Sequence, residues 1–506
     1  SNVGDGIATN RLGSILITSN AITSLQALGT IFNAGSLTIN NGSNAVAGTI
    51  DLSAALIDLN TAAGLTLSTR GGSSSITLGT VNMNSSGPVF LNSTTNDVVN
   101  LYGNISNAAG FTQTGSVKVN VGQAADVVLT TAGASGFNFA GNLNLIRNLT
   151  MTTASGIQVD GTIDSDSGVN LRTINLNSTN NGNILLNKGV GDSGTGLGNG
   201  LQSFNATFGT GILTLSDSTA DSTALINTAG GITISGNLAL GEASNQLLGG
   251  NGAINVTGNI TGATNNFKLS TTGAISLTGV LGLGNTLNPL GDVEIDLSSS
   301  QLTISGQIFA KTMKTTAQVS GTINIGGAQT ILNEVLLNSI GALTVGAITS
   351  ATKNISLTST GSTMTVGALT ALNSTNGGIT LNHANDLSFN GSIQGLTLLE
   401  SGTGRIFVNN AITIQVTGTG SDVILNNQLL LKNNLAINSE DDVTFASSVD
   451  TDASSVTSKN LTITINSASA ATSKAVTFNG NVGTTSGVVL GAITITGAKK
   501  IEAGSF

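Results

Sequence analysis

A seven-residue pattern, ψ-x-ψ-x-Gly-x-ψ with ψ apolar, recurs along the chain and limits what it can fold into. It reads Val99-Asn-Leu-Tyr-Gly-Asn-Ile105, Phe137-Asn-Phe-Ala-Gly-Asn-Leu143, Ile157-Gln-Val-Asp-Gly-Thr-Ile163 and Ile232-Thr-Ile-Ser-Gly-Asn-Leu238. Further copies begin at Ile254, Ile275, Leu302, Leu387 and Val476, and weaker ones at Leu343 and Met364. Copies starting at 137 and 157 lie 20 residues apart, those at 232 and 254 lie 22 apart, and those at 254 and 275 lie 21 apart. A period in this range is that of a solenoid, in which one repeat cannot bury its apolar face without its neighbours.

Within each repeat, apolar and polar residues alternate over three to five positions, which is the pattern of a strand with one buried face. Gly and Asn separate these segments, and corners need residues that tolerate φ > 0. The motif glycine is expected at a bend where one face ends and the next begins. Two or three short strands then make one coil, and coils pair in parallel with those above and below. The expected fold is an all-β, right-handed parallel β-helix of about 20–25 residues per coil. Dividing the length by the period predicts about 24 coils and an axial length on the order of 115 Å at the strand spacing. The whole of 1–506 is expected to be one elongated β-helix. Residues 1–12 are expected to form part of an N-terminal cap, and the C-terminus, in mid-pattern, reads as a piece of something longer or as a stacking end. The stretch Asn20–Leu28 is open to a short helix or a loop.

Composition agrees with this architecture and excludes others. The chain has 2 Pro in 506 residues, as expected where nearly every strand needs its N–H for a ladder. It has 67 Gly without a three-residue period, so it is not collagen. It lacks Cys, which removes disulfide scaffolds and thiolate zinc sites. Charged residues are 8% of the chain and the net charge is −9, with no basic stripe for nucleic acid. No apolar run reaches the roughly 20 residues of a spanning helix.

Few residues offer chemistry. His383 is the only histidine. Asp386 is its nearest acidic neighbour in sequence, and the plainer reading is a surface-turn histidine. Carboxylate pairs are Asp164 with Asp166, Asp217 with Asp221, and Asp292 with Glu294 and Asp296. Residues i and i+2 of a strand share a face about 6.6 Å apart, so Glu294 and Asp296 meet the separation of a glycosidase pair. With no Trp and one Tyr, Tyr102, the aromatic platforms of sugar sites are scarce. Glu440, Asp441, Asp442, Asp450 and Asp452 are the calcium candidates, because the two groups stand one repeat apart and calcium takes six to eight oxygens. The plainer reading is a solvated loop with no cofactor. Asn104, Asn148, Asn205, Asn255, Asn259, Asn354 and Asn460 each begin a glycosylation sequon.

The stretches Asp442-Val-Thr-Phe-Ala-Ser-Ser-Val449, Ala475-Val-Thr-Phe-Asn-Gly-Asn-Val-Gly-Thr-Thr485 and Leu490-Gly-Ala-Ile-Thr-Ile-Thr-Gly497 resemble the repeats of filamentous-haemagglutinin-like bacterial exoproteins and autotransporter passengers. The resemblance is at the level of the repeat and carries over no binding residue. It implies a secreted, extracellular, non-enzymatic rod at a bacterial cell surface, adhesive or structural. The expected partners are copies of itself, in fibres or a surface layer, and a host or neighbouring-cell surface or glycan. The alternative is a polysaccharide-processing β-helix enzyme, a lyase or hydrolase.

Overall fold

The alternation written in the sequence becomes an alternation of faces. In Ile232–Leu240, Ile232, Ile234, Gly236, Leu238 and Leu240 are buried, and the residues between them are half-buried. The same pattern holds in Thr173–Ser178, Ile355–Ser359 and Leu435–Ser439. Such strands cannot hide their inner face alone, and they do so by stacking. The computed structural model describes residues 15–19, 24–26, 31–34, 36–41, 48–69, 73–83, 87–94, 96–115, 117–191, 200–216, 223–283, 288–298, 300–316, 318–373, 375–418, 420–466, 474–483 and 488–505. Among these residues every regular element is a strand, and the strands stack in parallel as a β-solenoid of about 18 turns with about 23 residues per turn. Ser24–Gln26, inside the stretch left open between helix and loop, is a strand. The expected N-terminal cap lies outside the described residues.

The mean turn is longer than the 21-residue spacing used for the expected count, and coil length varies. One coil step takes 19 residues between Ala384 and Thr403, and another takes 32 between Asn460 and Ala492. Both steps keep their strands paired, Gly378–His383 with Thr397–Gly402 and Leu461–Thr464 with Ile493–Thr496, whereas elsewhere the register shifts at bulges such as Thr207/Ile212.

The chain divides into two compact units, Ser1–Ile260 and Thr261–Phe506. In the first, the inner columns are aligned residue by residue: Ile50, Ile76, Val99, Val119, Leu143 and Ile163 follow one another from coil to coil. Phe111 stacks on Phe137 in another column, with ring centroids 6.2 Å apart. In the second, Leu302, Ile323, Leu343, Met364, Leu387, Ile406 and Leu429 form one column. Phe445 lies flat on Phe478 at 4.9 Å. Each buried aliphatic side chain contributes about 1.5–3 kcal/mol by leaving water, so each column is a sum of nearest-neighbour terms.

The motif glycines are at bends, as expected, at 103, 141, 161, 258, 279, 306 and 391, whereas the strand runs through Gly236 and Gly480. The reason for Gly differs from the expected one. Of the nine, only Gly236 has a left-handed φ, 148°. The others are glycine because successive corners touch. A Cβ on Gly306 would lie 1.8 Å from the Gly279 carbonyl oxygen, one on Gly161 would lie 2.3 Å from that of Gly141, and one on Gly258 would lie 2.1 Å from that of Gly236. The left-handed positions fall elsewhere: Asn181 is at a corner, and Asn107 is at a bulge within the strand Ile105–Ala108.

Asparagine has its own task. At many corners its side-chain oxygen accepts the backbone N–H of the next coil: Asn104 from Val128 at 2.8 Å, Asn148 from Thr173 at 2.9 Å, Asn354 from Gly378 at 3.0 Å and Asn460 from Ala492 at 2.9 Å. These bonds satisfy donors that the ladder leaves over at each bend. The inner position just before a corner often carries a hydroxyl for the matching carbonyls. The Ser339 hydroxyl lies between the Gly321 and Gly341 carbonyl oxygens, and the Ser359 hydroxyl between those of Gly341 and Ser362, each sharing its one proton with that pair. Both prolines, Pro88 and Pro289, sit directly before a strand, where no ladder N–H is lost, and their carbonyls still accept from Leu65 and Thr264.

Candidate functional site

Outward positions of the coils form polar columns joined side chain to side chain. Asn100 donates to Thr77 Oγ1 at 3.0 Å, Asn120 to Asn100 Oδ1 at 2.9 Å, and Asn144 to Asn120 Oδ1 at 2.9 Å. A second column runs from Asn205 to Asn175 at 2.9 Å and on to Thr150 at 3.2 Å. The amide groups therefore hold fixed orientations at the strand spacing, and two sequon residues, Asn148 and Asn205, use their side-chain nitrogen in such bonds.

Asp292, Glu294 and Asp296 stand at alternate, half-buried positions of Leu290–Leu297, so they share the outward face as predicted. Glu294 is not free, however: Lys314 Nζ lies 2.7 Å from its Oε1. Their hydrogen bond holds the Lys314 ammonium above its usual range. Ser270 donates to Asp296 at 3.3 Å. Glu294 is thus engaged in an ion pair across the coils and is not presented alone to a substrate. Asp166 faces Arg172 at 3.5 Å, Asp164 stands in register with Asn144, and Asp217 and Asp221 lie outside the described residues.

The calcium candidates separate. Asp441 and Asp442 come together with Asp422, which the sequence reading did not include, and one carboxylate oxygen from each lies within 4.8 Å of the others. Asp442 follows Asp422 because Val443 pairs with Val423. Burial pushes the Asp422 carboxyl up, the Asp442 N–H pulls it down, and the charges of Asp441 and Asp442 push it further up. Among the described residues, the buried Oδ1 of Asp441 has no hydrogen-bond partner. Three carboxylates offer at most six oxygens, the lower bound for calcium. Glu440 turns away and accepts the Gly418 N–H at 2.9 Å. Asp450 is buried and in register with Leu430. Burial pushes the Asp452 carboxyl up, but bonds from the Ser454 hydroxyl and N–H and the charges of Lys432 and Arg405 outweigh it and hold it below the usual range. Arg405 and Lys432 both lie over the Phe407 ring, at 5.0 and 4.6 Å.

His383 is the largest departure from the sequence reading. It is 1% exposed and belongs to the core, not to a surface turn. Asp386 bonds Arg405 instead, at 3.1 and 2.9 Å. The partner of His383 is Glu400, one coil on, with Nε2 2.6 Å from Oε1. Glu400 occupies the inner column between Leu381 and Leu425. Its other bonds come from the coil above: Asn427 Nδ2 donates to Oε1 at 2.6 Å, and the N–H groups of Asn426 and Asn427 donate to Oε2 at 2.7 and 3.2 Å. The signal that could have found it was the acidic residue in Thr397-Leu-Leu-Glu400, where strand alternation calls for an aliphatic one.

No family model, curated protein or solved structure matches the chain.

Proposed function

We propose that the protein is a non-enzymatic structural or adhesive scaffold of a bacterial cell surface, and that it works by presenting the outward faces of its coils to copies of itself or to a glycan on another surface. One observation carries this reading: the inter-coil ladder of Asn100, Asn120 and Asn144. A polar face whose amides are already oriented gives up little side-chain freedom when a partner binds, which is where such interfaces lose affinity. The resemblance of the repeats to filamentous-haemagglutinin-like exoproteins points the same way.

The enzyme alternative draws on the shared face of Glu294 and Asp296, and the Glu294–Lys314 ion pair weighs against it. Two measurements on the purified protein separate the readings. Binding to a glycan array, or concentration-dependent self-association, weakened by Asn120→Ala, is the expected result. Polysaccharide depolymerisation that disappears in Glu294→Gln would overturn the scaffold reading.

A further inference from the structure

The inner columns around His383 are nearly interchangeable. Ile355, Ile379, Leu398, Val423 and Val443 succeed one another in one column, and Leu337, Leu357, Leu381, Glu400, Leu425 and Phe445 in the next. Aliphatic side chains of similar size do not tell one coil from its neighbour. A folding chain could therefore loop out a coil and still close its core. Glu400 breaks this degeneracy.

Its carboxylate is clamped from both sides. Below it, His383 stands where the two preceding coils carry Ser339 and Ser359. Gly402 follows in that column, and a Cβ there would lie 1.8 Å from the His383 carbonyl oxygen. Above it, Asn426 rearranges the ladder. In the next coil the equivalent N–H, that of Ala446, donates to the Leu425 carbonyl. At Glu400, Asn426 Nδ2 takes that role toward the backbone oxygen, and the Asn426 N–H is released to the carboxylate. Only this order of coils supplies all the donors.

The geometry also fixes the protons. His383 Nδ1 faces the Asn385 carbonyl at 2.5 Å, and Nε2 faces Glu400 at 2.6 Å. A carbonyl cannot donate, so Nδ1 carries a proton. One further proton lies on the Nε2–Oε1 line, shared between the imidazole and the carboxyl. Without it, two lone pairs would face each other in a dry core.

We propose that His383 and Glu400 are a register key: a buried, hydrogen-bonded pair that is satisfied in one stacking order of the coils and so selects the native neighbours. A buried pair of this kind adds little net stability over an aliphatic pair, and specificity is its best-attested use.

The chain has one histidine and no cysteine, which makes both tests clean. Nitrogen NMR of the unmodified protein is expected to find a bonded proton on Nδ1 and a hydrogen-bonded proton between Nε2 and Glu400. Cysteines then report stacking order. Thr380, Leu399 and Ile424 succeed one another in an outward column, so 380 and 399 lie about 4.8 Å apart, and 380 and 424 about twice that. A disulfide needs Cα atoms within about 7 Å, so Thr380→Cys with Ile424→Cys cross-links only when a coil is skipped. After refolding, this pair should stay open in the otherwise unmodified chain and cross-link several-fold more in the His383→Ser/Glu400→Leu background, while Thr380→Cys with Leu399→Cys closes in both. A bare Nδ1, or equal cross-linking of 380 and 424 in the two backgrounds, would overturn the proposal.

Discussion

His383 Nε2 lies 2.6 Å from Glu400 Oε1, and neither side chain reaches solvent. Removing one member leaves the other buried without its partner, which typically costs about 3–5 kcal/mol. His383→Ser and Glu400→Leu should each lower the urea midpoint by an amount of that order. The double variant restores residue types found in aligned coils, and it should recover most of the loss. A double-mutant cycle measures the coupling. Additive losses would show that the two residues act separately.

Asp422 predicts a pH effect of opposite sign to the usual carboxylate. Burial and the charges of Asp441 and Asp442 raise its folded value. A raised carboxyl contributes fully below its unfolded value, about 3.9, and that contribution is lost as pH rises through the folded value. Asp422→Asn should therefore stabilise the protein near neutral pH, by less than about 1 kcal/mol for a partly exposed group, and change little in acid. Denaturation curves across pH check this. An Asn variant less stable than the parent at neutral pH would contradict it.

Asp386 shows the ordinary sign. Arg405 bonds hold its carboxyl down, so its contribution is present above the unfolded value and lost as pH falls through the folded one. The pair is exposed, and Asp386→Asn should cost about 0.2–1 kcal/mol at neutral pH and less in high salt. Thermal melts at two ionic strengths read this out.

Gly306 tests the corner contacts. Its φ is not left-handed, so backbone preference alone would tolerate alanine there. The Gly279 carbonyl would not, because it lies 1.8 Å from the new Cβ. Gly306→Ala should cost about 1–3 kcal/mol or more through overpacking. Gly326, where a Cβ would meet nothing within 4 Å, is the control and should change little when made alanine.

What the sequence made legible was whatever depends on period: strand faces, parallel stacking and the exclusion of proline. Contacts one coil apart were less so, because a coil step varies from 19 to 36 residues. Asp422 joins Asp441 and Asp442 at a separation that no local pattern marks. Glu400 is marked in the sequence only by the strand alternation of Thr397-Leu-Leu-Glu400, and the register of Leu381 and Leu425 shows that its position is in the core. The motif glycines were found for an incomplete reason, since close approach of stacked backbones leaves no trace in a single repeat.

The central claim is that successive coils pair in parallel around shared aliphatic columns, and a cryo-electron microscopy map of the protein tests it most directly. The account predicts about 18 stacked turns, with Leu302, Ile323 and Leu343 superposed in one inner column. A map that divided the chain into separate antiparallel sandwiches would contradict it.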